Sequence, residues 1–175
     1  MGHTKLVVDH LRIDYKGPVN LNNFFRLIEN HLWERGYDKR QDKDFEINTP
    51  SGKYIEWQYS PWKKITDYVR YFVKVRIIGY DFVKAEVIVD NKKTKVDTGR
   101  LVMAFDAFIE YDYDSYWDSR PFLHFLRVVY DYFVFKAYTE RFENMLANDS
   151  NNLYSMIEDF FNMHKNYKVI SRVKN

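Results

Sequence analysis

The chain has 175 residues, a net charge of +2 and no cysteine. Those figures exclude disulfide frameworks, thiolate nucleophiles and thiolate metal sites, and they argue against a bulk electrostatic footprint for nucleic acid. Hydrophobic residues at 46% and charged residues at 30% describe a globular chain, while aromatic residues at 19% are a surplus that must build both core and part of the surface. Met1-Gly2-His3-Thr4-Lys5 leads into too short an apolar run for a secretory signal, so the expected compartment is cytoplasmic.

Leu6 to Ile13 reads as a strand with mixed patterning, which suits cover on both faces, and Lys16-Gly17-Pro18 breaks it. Asn20 caps a helix that runs through Arg35. Val19 and Phe24 have the spacing of a hydrophobic staple, and Leu21, Phe25, Ile28 and Leu32 form the expected buried stripe. Gly36 ends the helix, with Tyr37 folding back on Leu32 as in a Schellman motif. Tyr37 to Asp44 is charged and reads as a loop. Pro50-Ser51-Gly52 is a hairpin signal between strands Phe45–Thr49 and Lys53–Tyr59, whose Phe45, Ile47, Ile55, Trp57 and Tyr59 share one parity and are expected on one face. Ser60 to Lys64 reads as a loop carrying a ring.

Three long strands follow. Val69, Tyr71, Val73, Val75 and Ile77 face inward on Asp67 to Ile78. Gly79-Tyr80-Asp81 reads as a turn. Val83, Ala85, Val87 and Val89 face inward on Phe82 to Val89. After a turn at Asp90 to Lys93, a strand from Lys95 to Tyr113 turns Leu101, Met103, Phe105, Ala107, Ile109, Tyr111 and Tyr113 inward. Short connections make these strands antiparallel neighbours. Arg70, Lys74 and Arg76 then lie on an outer face shared with Asp106 and Glu110, and such charges pair across strands without any functional demand.

Asp118 to Ala147 reads as one long helix, with Asp118 or Ser119 capping and Pro121 in the first turn. Two apolar stripes run down it: one through Phe125, Val128, Tyr132, Phe135 and Phe142, the other through Phe122, Leu126, Val129 and Phe133. Both need cover. Charged residues interrupt the run, so it is not a membrane span. Ser150 begins a last helix, with Asn148-Asp149-Ser150 as its cap and Leu153, Ile157 and Phe160 on its apolar face. Residues 1–166 form one expected domain, and the basic stretch 167–175 is a tail expected to fray.

The expected fold class is therefore α+β: a curved antiparallel sheet of about six strands, ordered β-α-β-β-β-β-β-α-α, with a long C-terminal helix packed on one face. This element order resembles the helix-grip arrangement of lipid-transfer and polyketide-cyclase-like domains, where a long C-terminal helix lies across a curved sheet above a cavity. The resemblance is one of order alone. It lacks the second short helix after the first strand, adds a helix at the end, and carries over no residue roles.

Chemistry-bearing patterns are sparse. His124, Arg127 and Asp131 lie three and four positions apart on one side of the long helix; they read as a ligand-orienting or acid–base cluster, or as a wet edge with an ordinary i,i+4 ion pair. Asp112, Asp114 and Asp118 alternate as calcium ligands do, but Trp117 and Leu123 stand where a calcium loop needs Gly and Glu. The histidines show no metal spacing, and no phosphate-cradling glycine loop or serine nucleophile elbow is present, so no catalytic residue, metal or cofactor is expected. Arg70, Lys74 and Arg76, with Tyr68 and Phe72 between them, resemble a single-stranded nucleic-acid surface, against which the neighbouring acidic strand argues. Trp57, Trp62, Tyr116 and Trp117 lie near strand ends, where rings form interface hot spots.

The leading expectation is a non-enzymatic interaction or assembly module, bound to a protein partner or to a second copy. The alternatives are a carrier of an apolar small molecule or lipid between sheet and long helix, and single-stranded nucleic-acid binding on the basic strand. An enzyme built on His124, Arg127 and Asp131 stands behind these.

Overall fold

Apolar–polar alternation sustained over twenty residues makes a long strand, and this chain has two such runs. In a computed structural model, which describes residues 3–89, 92–111, 136–165 and 167–172, they are β5 (Val69–Val89) and β6 (Lys92–Tyr111), paired antiparallel along their length. Around them is built an α+β fold: a curved, unclosed antiparallel sheet of seven strands with a long C-terminal helix. The other strands are β1 (His3–Val19), β2 (Gln41–Thr49), β3 (Gly52–Tyr59), β4 (Trp62–Lys64) and β7 (Lys168–Arg172). The main order is β1-β6-β5-β3-β2. The edge of β5 away from β6 is shared in sequence by β4, β3 and β7.

The helix α1 (Leu21–Glu34) forms as its sequence dictates. Asn20 caps it by accepting from the Asn23 N–H at 3.0 Å. At its end Gly36, at φ 78°, donates to Trp33 O (2.9 Å) and Tyr37 donates to Leu32 O (3.0 Å), the paired bonds of a Schellman ending. The buried stripe is Leu21, Phe24, Ile28 and Leu32; Phe25, expected there, is only partly buried and packs on Trp57 at 5.1 Å.

The second helix, α2 (Lys136–Lys165), is continuous for 30 residues. It turns Leu146, Ser150, Leu153, Ile157 and Phe161 into the core. Phe161 stacks on Tyr15 of β1 at 4.3 Å and meets Phe24 of α1 at 5.0 Å, while Tyr154 approaches Phe105 of β6 edge-on at 6.2 Å. One face of the sheet is thus closed by rings from both helices. No helix among the described residues is long and apolar enough to cross a membrane.

Several expectations are corrected. Ser150 does not begin a helix; it lies inside α2, where its hydroxyl donates to Leu146 O at 2.8 Å. The strand expected to end near Lys16 continues through Pro18 to Val19, because β1 ends the sheet order and a missing N–H on an edge strand costs no ladder bond. The loop expected up to Asp44 is strand from Gln41, and Trp62–Lys64, also expected as loop, pairs with β5. The expected turn at Gly79-Tyr80-Asp81 is a bulge within β5, with Asp81 at φ 54°, so the strands expected over 67–78 and 82–89 are one strand paired throughout with β6 and not antiparallel neighbours of each other. Residues 168–172, read as tail, add to β5 as β7. Of the expected helix 118–147, residues 118–135 lie outside the described residues and 136–147 form the start of α2.

The bulge has a consequence for the face assignments. Tyr80 pairs with Arg100 and Val83 with Thr98, so β5 uses one residue more than β6 between those pairs. A one-residue excess sends every following side chain to the other face. Ala85 and Val87 are buried as expected, but together with Val96 they fall outside the main core cluster, on the face opposite to Ile77. Phe82, within the bulge, takes the inward place instead.

Candidate functional site

The turn that closes the β2–β3 hairpin is held by side chains. The Thr49 hydroxyl donates to Gly52 O at 2.6 Å and the Ser51 hydroxyl to Asp81 Oδ1 at 2.5 Å. Gly52 sits at φ 145°, and a Cβ there would lie 2.7 Å from the Asp81 carbonyl carbon, so the backbone approach admits only glycine. This clasp fixes Thr49 opposite Gly52 and hence Ile47 opposite Tyr54 and Phe45 opposite Glu56.

Directly opposed residues in an antiparallel pair share a face. Phe45 and Ile47 therefore point away from Ile55 and Trp57, against the shared parity expected of them. They are 43% and 47% exposed, on a strand exposed at all nine residues. Phe45 meets Tyr54 edge-on at 6.4 Å, and Tyr54 meets Tyr80 at 5.7 Å, so a row of rings runs from the outermost strand onto β5. Tyr80 is itself 40% exposed. On the other face of β2, Asp44 and Glu46 stand opposite Trp57 and Ile55. Lys53 pairs with Glu46 at 2.5 Å, and Lys43 pairs with Glu56 at 2.6 Å, its hydrogen bond holding the Glu56 carboxyl below its ordinary range. Asp44 has no cation partner among the described residues.

Other residues singled out from sequence have different fates. Trp57 is 5% exposed and stacked on Tyr59 at 5.1 Å; it belongs to the core and not to a surface. Trp62 is partly buried, with the Arg70 guanidinium 5.6 Å from its ring centroid. Arg70 pairs with Glu110 at 2.5 Å and Arg76 with Asp106 at 2.7 Å, the cross-strand pairing expected of these charges, and Lys74 stands directly opposite Asp106. Tyr116, Trp117, His124, Arg127 and Asp131 lie outside the described residues.

One cluster escaped sequence reading because its members are 96 positions apart. Asp106, 5% exposed, accepts the His10 backbone N–H at 3.0 Å, and the His10 ring Nδ1 lies 2.7 Å from Asp9 and 3.1 Å from Asp106. A metal ion could use these three groups. The Arg76 guanidinium already pairs with Asp106 through Nη2, so the cluster is accounted for as a structural ion pair at the bulged part of β1. The exposed pair Phe45 and Ile47 was also missed as a surface. Its signal is the turn length: with two residues between Thr49 and Gly52, odd positions on β2 face even positions on β3.

Comparison with protein-family models, curated proteins and solved structures returned no match to this chain.

Proposed function

We propose that this chain is a non-enzymatic interaction module that takes up an extended strand of another polypeptide along β2. The observation that carries this reading is the exposure of all nine residues of β2 at the end of the sheet order, with Phe45 and Ile47 presented beside its open edge. An edge strand offers a row of N–H and C=O groups with no partner, which is the template for strand addition. Alternate side chains then set specificity.

In the registers centred on Phe45 or on Glu46, the side chains select against a second copy. Two β2 strands paired antiparallel about Phe45 would set Asp44 against Glu46 twice; paired about Glu46, they would set that residue against itself. Like charges directly opposed are destabilising. The fitting partner alternates basic residues, facing Asp44 and Glu46, with apolar ones, facing Phe45 and Ile47.

A synthetic peptide of alternating lysine and valine tests this, with a glutamate–valine peptide as control. The lysine peptide is expected to slow hydrogen exchange at the β2 amides, and Phe45→Lys with Ile47→Lys to abolish the protection. Protection by both peptides alike would refute the charge selection, and none at β2 would refute strand addition.

A further inference from the structure

We propose that the cleft beside the β5 bulge, on the sheet face opposite α2, binds a small organic anion. The cleft measures about 800 Å³, within the range of small-molecule sites. It lies where the bulge shifts the β5–β6 register while β1 and β6 stay paired, with Gly17 directly opposite Gly99 and both lining the cleft with backbone alone.

Its polar lining is unbalanced. Arg12, Lys16 and Arg100 face it, with Asp81 as the carboxylate among the lining residues, and Asp81 already accepts from Ser51. Arg100 is held in a two-toothed pair with Asp14, Nε at 3.0 Å and Nη2 at 2.5 Å, which orients its guanidinium and keeps the Asp14 carboxyl below its ordinary range. Arg12 approaches the same carboxylate only at 4.0 Å. Lys16 has no partner among the described residues. Three cations thus meet two carboxylates, and Lys16 and Arg12 remain the donors for an incoming oxyanion.

Thr98 also lines the cleft, with its hydroxyl oxygen turned out of reach of a ligand there. The remaining wall is apolar: the half-exposed ring of Tyr80, with Val83 and Val102. Cations against an apolar wall fit an anion with an aromatic or aliphatic body, a carboxylate or a phosphate monoester.

The test is an amide chemical-shift titration of the full chain with phenyl phosphate, benzoate and uncharged benzyl alcohol. At least one anion is expected to shift the amides of Gly17, Thr98, Gly99 and Arg100 saturably, leaving the amides of Asp44 and Phe45 unmoved, so that this site and the β2 edge are judged separately. Tighter binding of phenyl phosphate would mark a phosphate site, and tighter binding of benzoate a carboxylate site. Lys16→Gln and Arg12→Gln, both exposed positions, are each expected to weaken binding about tenfold. The proposal is overturned if neither anion gives saturable shifts, if benzyl alcohol binds as well, or if the Lys16→Gln, Arg12→Gln double variant binds like the parent.

Discussion

The ring of Phe82 fills the space a side chain at Gly99 would need: a Cβ there would lie 2.8 Å from the ring and 2.7 Å from Tyr80 O. Gly79 flanks the same ring, its added Cβ falling 2.6 Å from Phe82 Cε2. The bulge and the two glycines are therefore one device, which lets a large ring enter the core where the strand changes face. Gly99→Ala is expected to destabilise by about 1–3 kcal/mol through overpacking, and Phe82→Ala by about 3–5 kcal/mol through the cavity it leaves. Urea denaturation reads both. A neutral Gly99→Ala would mean that Phe82 can yield.

The continuity of α2 past Ser150 separates two readings of the same residues. A proline at position 151 would be tolerated as the first residue of a helix capped by Ser150. Inside an unbroken helix it removes a hydrogen bond and costs about 3 kcal/mol. Asn151→Pro is thus expected to lower stability by about that amount, measured by circular dichroism against denaturant.

Alkaline pH is expected to weaken the fold. Burial pushes the Tyr15 and Tyr59 hydroxyls up to about 12, and pushes those of Tyr37 and Tyr71 upward as well. In the unfolded chain a phenol ionises near 10.0. Above that pH the folded state holds more protons than the unfolded one, so stability is whole below pH 10 and falls as the pH climbs towards 12. The denaturation midpoint should stay flat to about pH 9 and decline beyond. Tyr15→Phe should flatten part of that decline. It should also cost about 1 kcal/mol at neutral pH, because the Tyr15 hydroxyl donates to Pro18 O at 2.8 Å.

The two cross-strand ion pairs of the outer face should differ in worth. Asp106 is 5% exposed and accepts from both Arg76 and the His10 backbone, so Asp106→Ala is expected to cost about 1.5–3 kcal/mol. Glu110, more exposed at its side chain, is expected to cost under about 1 kcal/mol as Glu110→Gln. Equal losses would show that burial does not rank the two.

Local chemistry made some elements legible. Asn20, Val19 with Phe24, and Gly36 with Tyr37 are capping signals whose partners lie within a few residues, and the structure shows that cap and that ending. The inward run Val69 to Ile77 and its partner Leu101 to Ile109 were equally readable, since strict alternation has one solution. Asn148-Asp149-Ser150 misled because such residues favour caps in isolation. Within α2, Asp149 instead receives the Tyr37 hydroxyl at 3.3 Å and lies 3.7 Å from Arg35 Nε, partners more than 100 positions away.

By itself the sequence determined where alternation or capping existed, and so the α+β class, the β2–β3 and β5–β6 hairpins and the ends of α1, but not that 67–78 and 82–89 belong to one strand. Only the tertiary structure decided which face each run presents. A turn of two residues put Phe45 and Ile47 in solvent, and one extra residue in β5 carried Ala85 and Val87 to the far side. Period-two patterning is blind to such slips, because it gives the spacing between side chains on a face but not the register that joins one strand's face to the next.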